Sequence, residues 1–170
     1  EDEPPGPRRG AAEPSPYPRK TIAALGAKAK VVRDANGVPH IQAKTERDAY
    51  AALGYCMAED RLWQLDVLRR LANGRLAEIL GESFVRQDAL VRTIGVPRRA
   101  GVAAGRLEGV ARDVLAAFVG GINAARAEGK PPECTVLAYE IEPWTVADSL
   151  AIELYAAWTL SLETWPHKLL

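Results

Sequence analysis

The chain has 170 residues, enough for one domain or a large part of one. Lys plus Arg and Asp plus Glu number 22 each, so no net field draws the chain to nucleic acid, and no basic run suits an anionic membrane. The most apolar stretch, Leu150 to Leu162, is interrupted by Glu153, Thr159 and Ser161. It falls short of the ~18–20 apolar residues that cross a bilayer, so it reads as a buried helix.

Residues 1–20 hold six prolines and many charges, too little apolar surface to fold alone. Residues 1–28 therefore read as a Pro-rich N-terminal arm, and 29–170 as the folded region. The start lacks the basic and apolar regions of an export signal, and Glu1 in place of Met reads as a trimmed end.

From Ala29 to Ala43, two short β-prone runs flank Asn36-Gly37, a strong signal for a tight hairpin turn. Pro39 has no N–H to give a ladder, so its strand is an edge or meets a bulge. After Lys44 the apolar period changes from 2 to 3.6. Thr45 is a candidate N-cap with Asp48 three residues on. The stripe Ala49, Ala52, Leu53, Cys56, Met57 continues through Leu62, Leu65, Leu68 and Leu71 to a stop at Asn73-Gly74.

Further helices are expected over Arg75–Leu80, over Phe84–Thr93, from Pro97 to Ala127 with a bend at Gly120-Gly121, and from Thr145 to Glu163. The extent of apolar helix surface predicts packing on a partner as well as on itself. The fold class is thus a mainly α chain with a short N-terminal β hairpin.

A self-contained active site is hard to find. The two histidines, His40 and His167, form no Ser/Cys–His–Asp arrangement that spacing supports. No zinc spacing and no phosphate loop is present. Glu59-Asp60 reads as solvated charge, with an ion pair to Arg69 or Arg70 further round the helix. His40 reads as a structural histidine and Cys56 as a packing residue. Cys56 and Cys134 could pair in an oxidising compartment or stay as two buried thiols.

Three ordered blocks carry more information. They are Gly37-Val38-Pro39-His40-Ile41, then Gly54-Tyr55-Cys56-Met57-Ala58-Glu59-Asp60-Arg61-Leu62-Trp63-Gln64-Leu65, then Gly74-Arg75-Leu76-Ala77-Glu78-Ile79-Leu80-Gly81. Together they resemble the opening of the penicillin acylase (penicillin amidase) family. Gly120-Gly121-Ile122-Asn123-Ala124 and Glu142-Pro143-Trp144-Thr145-Val146-Ala147-Asp148 resemble later family patterns. The likeness covers about residues 30 to 165.

The resemblance implies the small (α) subunit of an N-terminal-nucleophile hydrolase, one part of an α+β (αββα) heterodimer. The precursor cuts itself, and a large (β) subunit presents an N-terminal Ser that attacks the amide with its own α-amine as base. No catalytic residue is then expected in this chain, and its partners are the large subunit and a small-molecule amide. Location would be periplasmic or secreted.

No cofactor is required. A structural calcium is possible through the large subunit: the glutamate that helps hold it in several members falls here at His167, a poor ligand for a hard cation, with Glu163 one turn away. In penicillin G acylases the last helix ends in Met-Ala-Asn-Arg-Phe beside the substrate. Ungapped counting from Trp144 puts Ala157, Trp158, Thr159, Leu160 and Ser161 there. Ala157, Trp158, Leu160 and Ser161 are the substrate-binding candidates. With Leu160 in place of the cation and Ser161 in place of the ring, the resemblance implies an apolar acyl preference over phenylacetyl. The alternatives are a subunit of an acyl-homoserine-lactone or lipopeptide acylase, and a non-catalytic helical binding module.

Overall fold

A computed structural model describes residues 20–22 and 29–163. Among them are three strands, β1 (Lys20–Ile22), β2 (Ala29–Arg33) and β3 (Pro39–Gln42), in an antiparallel sheet of order β1-β2-β3. Seven helices follow: α1 (Glu46–Asn73), α2 (Ala77–Leu80), α3 (Val85–Ile94), α4 (Val96–Arg106), α5 (Gly109–Glu128), α6 (Pro132–Val136) and α7 (Val146–Glu163). The chain is mainly helical with a small sheet at its front, as expected. Strand β1 lies within the stretch read as arm and has no sequence signal of its own.

The hairpin is real but its turn differs. Gly37 N–H donates to Asp34 O at 3.0 Å, and Asp34 N–H donates to Val38 O at 3.1 Å. Gly37 has φ +82°, whereas Ala35 and Asn36 stay out of the left-handed region. This is a three-residue loop ending in a glycine bulge, not the two-residue turn that needs positive φ at both centres. The Asp34 carboxylate also accepts the N–H groups of Asn36 and Val38, at 2.9 and 3.0 Å. Pro39 opens β3, an edge strand.

Helix α1 starts where its cap predicts: Thr45 Oγ1 accepts Asp48 N–H at 3.1 Å. It ends at Gly74 in the left-handed conformation, with Arg75 N–H reaching back to Arg70 O at 2.8 Å. A kink at Arg61 (φ −143°, ψ 30°) interrupts it without proline.

The core face of α1 keeps part of the apolar stripe: Ala52, Cys56 and Leu62 are buried and Leu65 packs against them. Buried are Ala51, Ala52, Tyr55, Cys56 and Ala58, while Leu53, Met57 and Leu68 are exposed. The reason is how closely α5 approaches. A Cβ on Gly121 would lie 1.9 Å from Ala51 O, and one on Gly54 would lie 2.1 Å from Phe118 O. At these two points of closest approach only glycine fits, while Tyr55, Cys56 and Leu62 pack around them.

Gly121 therefore marks a contact, not a bend, and α5 runs unbroken through it. The break falls earlier, at Leu107 and Glu108. Both are extended, and Gly109 follows at φ +59°. One core groups α1, α5, Cys134, Ile141, Trp144 and strand β2; a second joins Ala72, Val91, Val96, Ala100 and Ala151. Cys56 and Cys134 are both buried thiols of the first core rather than a disulfide.

Two substitutions should act with opposite sign. Gly121→Ala is expected to force α1 and α5 apart and cost about 1–3 kcal/mol. Ala138→Gly, at a residue with φ +52°, is expected to add about 1 kcal/mol by relieving left-handed backbone. Urea midpoints of the two variants against the parent check both signs.

Candidate functional site

The end of α7 carries the residues singled out from the sequence, and a buried charge network decides where that helix starts. The network centres on Asp66, which is fully buried in α1. Its carboxylate accepts from the Arg69 guanidinium, from Arg70 Nε at 2.9 Å and from the Tyr139 hydroxyl at 3.0 Å. Arg69 goes on to donate to Glu142 O at 3.1 Å and Pro143 O at 3.2 Å, and sits 5.2 Å from the centre of the Trp144 ring. Arg70 reaches Glu78 at 2.7 Å and lies over Tyr139.

Arg75 forms bidentate pairs with both Glu78 and Glu142, with distances of 2.8 to 2.9 Å. These bonds hold the Glu142 carboxyl down at about 2, and Glu78 is lowered by the same guanidinium. Burial pushes the Tyr139 hydroxyl well up, helped by its bond to Cys134 and the charge of Asp66.

Around Trp144 the chain is pinned again. Its N–H donates to Asn123 Oδ1 at 2.7 Å while Asn123 Nδ2 donates to Trp144 O at 2.9 Å. The indole N–H donates to Ser149 Oγ at 2.9 Å. Thr145 and Asp148 then cap α7 reciprocally: Thr145 N–H reaches Asp148 Oδ2 at 2.8 Å and Asp148 N–H reaches Thr145 Oγ1 at 3.2 Å. The first turn of α7 is thus fixed to α1 and α5, and its far end projects from there.

The four candidates on that far end separate. Trp158 is half-buried and packs on Tyr155 of the preceding turn, with ring centres 5.8 Å apart. Ala157, Leu160 and Ser161 are exposed, Leu160 at 62%. With Glu153 and Ala156 they make an outer face of mostly small and apolar groups. Ser161 Oγ donates to Trp158 O at 2.7 Å, so its proton is held by its own helix. His167 lies outside the described residues, as does the side chain of Glu163. Among the described residues no group of three His, Cys, Asp or Glu is placed to hold a metal ion, and no helix is long and apolar enough to cross a membrane.

Asp60 does not pair with Arg69 or Arg70, which Asp66 already engages. Its partner is Arg33, at 2.8 and 3.0 Å, and the same guanidinium takes Glu59 at 2.9 Å and Gly37 O at 2.8 Å. Burial works against the Arg33 charge, but these two carboxylates outweigh it and hold its pKa above the usual arginine value. The hairpin is thereby clamped to α1. His40 is exposed, with Nε2 3.1 Å from Asp34, and that contact lowers the Asp34 carboxyl. The sequence reading also missed a cleft of about 470 Å³ at the Arg61 kink, bordered by Tyr55, Glu59, Trp63, Glu128 and Lys130. Neither proline nor glycine announces the kink.

Comparison with known proteins is consistent with this arrangement. The family model described as penicillin amidase matches residues 28–170. Penicillin acylase 2 proenzyme of Pseudomonas sp. (strain SE83) is 42% identical over 134 residues, 78% of this chain and 17% of its own length. Acyl-homoserine lactone acylase QuiP of Pseudomonas fluorescens (strain Pf0-1) is 33% identical over 131 residues, 75% of this chain and 16% of its own length. Among solved structures, thermostable penicillin G acylase from Alcaligenes faecalis superposes with a TM-score of 0.69 at 30% identity, covering 75% of this chain and 71% of the matched chain.

Fold and sequence together ally the chain with proteins named as acylases. It belongs to the penicillin amidase family. It spans about one sixth of the length of the first curated relatives it matches.

Two tests probe the network. Asp66→Ala leaves Arg69 and Arg70 buried without their carboxylate and should cost about 3–5 kcal/mol, read as a lowered urea midpoint. Glu142 has a folded pKa below its unfolded value of 4.5. Its contribution is therefore complete above pH 4.5 and is lost as pH falls toward about 2. The side chain is half exposed, so solvent screening keeps the effect modest. Glu142→Gln should flatten the acid limb of a Tm-against-pH curve in that window.

Proposed function

We propose that this chain is the small subunit of an acylase heterodimer that hydrolyses the side-chain amide of N-acyl compounds. The observation that carries the reading is its 42% identity to one sixth of a proenzyme. The remainder of such a precursor supplies the large subunit. An N-terminal Ser on that subunit attacks the amide carbon, its α-amine takes the proton, and donors on the same subunit hold the oxyanion. This chain supplies a wall and no reacting group. The exposed Leu53, Met57 and Leu68 on α1 suit a large obligate interface. Family membership favours this reading over a non-catalytic binding module.

The substrate proposal rests on the end of α7. Ala157, Leu160 and Ser161 border the acyl pocket from the outer face, with Trp158 packed behind them. A leucine there offers no charge to a substrate carboxylate, and a serine leaves room that an aromatic ring would fill. The enzyme then prefers apolar aliphatic acyl groups to phenylacetyl. The likeness to QuiP, an acyl-homoserine lactone acylase by name, supports a second reading within the same chemistry, with the lactone amine as leaving group. Location is the periplasm or the medium, and any structural calcium is held chiefly by the large subunit.

A panel of acyl p-nitroanilides, from phenylacetyl to medium-chain, tests the pocket on the parent and on Ser161→Phe. The parent is expected to favour aliphatic chains, and the variant to shift the ratio of kcat/KM toward phenylacetyl by about 1–3 kcal/mol. A parent that already prefers phenylacetyl, with a ratio unmoved by Ser161→Phe, would remove α7 from the pocket. Acyl-homoserine lactones in the same panel separate the two readings.

A further inference from the structure

One face of α4 remains unexplained by the chain itself. Arg98, Arg99, Val102 and Arg106 line a groove of about 580 Å³ whose floor includes Leu107 and Leu154 of α7. Helix α4 contains no acidic residue to balance its arginines. Five arginines elsewhere, Arg33, Arg69, Arg70, Arg75 and Arg92, each donate to a named oxygen, whereas the exposed Arg47, Arg61, Arg86 and Arg112 lie singly rather than grouped around a groove. Among the described residues Arg98, Arg99 and Arg106 have no hydrogen-bond or ion-pair partner. Val102, between them, is 46% exposed.

The shape of the helix agrees with the charge. Gly101 and Gly105 lie one turn apart beside this face, with no atom within 4 Å of a Cβ built on either. Mid-helix glycine costs about 1 kcal/mol against alanine. At Gly54 and Gly121 the close α1–α5 crossing requires it. At Gly101 and Gly105 nothing in the described chain does. A second backbone could approach α4 as closely as α5 approaches α1.

We propose that this groove is a docking site for a carboxylate-bearing segment of the large subunit, an inference that rests on the heterodimer reading above. The occupant's apolar side chains cover Val102 and Leu154, its backbone runs over Gly101 and Gly105, and its carboxylates pair with the three guanidinium groups. The matched relatives extend to about six times the span they share with this chain, so most of the polypeptide that could supply the segment lies outside it. Leu154 is one turn before Trp158, so the docked segment also braces the end of α7.

The experiment uses the protein produced from its full reading frame, with a photo-cross-linking amino acid at Val102. The expected result is an adduct between the two subunits, mapped to a large-subunit peptide containing Asp or Glu. A parallel variant carries Arg98→Glu, Arg99→Glu and Arg106→Glu. It is expected to lower the NaCl concentration at which the subunits part to about half or less, while Arg→Lys at the same three positions stays close to the parent.

Several results would overturn the docking while leaving the heterodimer standing. The subunits could co-purify with no adduct from Val102, or with an adduct only to a second small subunit. Decanoate could abolish the adduct without parting the subunits, which would mark a small-molecule site. Should the glutamate variant fail to fold, the cross-link decides alone. A parent that never yields two co-purifying chains would instead bring down the heterodimer reading itself, and the docking with it.

Discussion

A single buried carboxylate, Asp66, organises the rest of the molecule. A bare anion at zero exposure would be prohibitively unfavourable, and here three donors from two segments converge on it. Two come from the next turn of its own helix and one from Tyr139, 73 residues later. The arginines recruited in this way spend their remaining donors on Glu142 O, Pro143 O and Glu78. The segment between α6 and α7 is thus bonded to α1 through side chains, where no regular secondary structure satisfies its backbone.

A second constraint is the spacing of α1 and α5. Gly54 and Gly121 bring the two backbones into contact, which excludes any side chain at those two positions. The apolar bulk that the sequence places on α1 must go elsewhere, and Leu53, Met57 and Leu68 are left facing out. The same close packing that stabilises the helix pair generates the surface a partner would cover. In an independent soluble domain that surface would be an aggregation hazard; in a subunit it is an interface.

Much of the fold was legible because its signals are local. Thr45 with its acidic partner, Thr145, Gly74 and the Asn36-Gly37 pair each act over a few residues, and each marks a real boundary. What was not legible depends on distant groups. Whether Asp60 pairs with Arg70 or Arg33 is decided by where the hairpin folds back, 27 residues away. Whether Gly121 bends a helix or admits a neighbour depends on what lies opposite. The break at Leu107-Glu108 carries no proline, and β1 is three residues long. At the candidate site, sequence counting placed four residues on the last helix but could not separate the half-buried Trp158 from the exposed Ala157, Leu160 and Ser161.

That separation bears on how such a chain could serve an enzyme without holding its chemistry. A pocket wall must be positioned more firmly than it must react. Here α7 is anchored at its first turn by Trp144, Asn123, Thr145 and Asp148, and stiffened along its inner face by Tyr155 and Trp158. Its outer face carries only small and apolar groups after Glu153, with Ser161's hydroxyl hydrogen-bonded back to the helix. Such a surface selects by volume and by the lack of charge rather than by hydrogen bonds. Discrimination of that kind is shallow, worth about 1–3 kcal/mol per wall contact. Under the proposed heterodimer, a specificity built on it would be redirected by exchanging one or two side chains, with the nucleophile, its base and the oxyanion donors untouched on the large subunit.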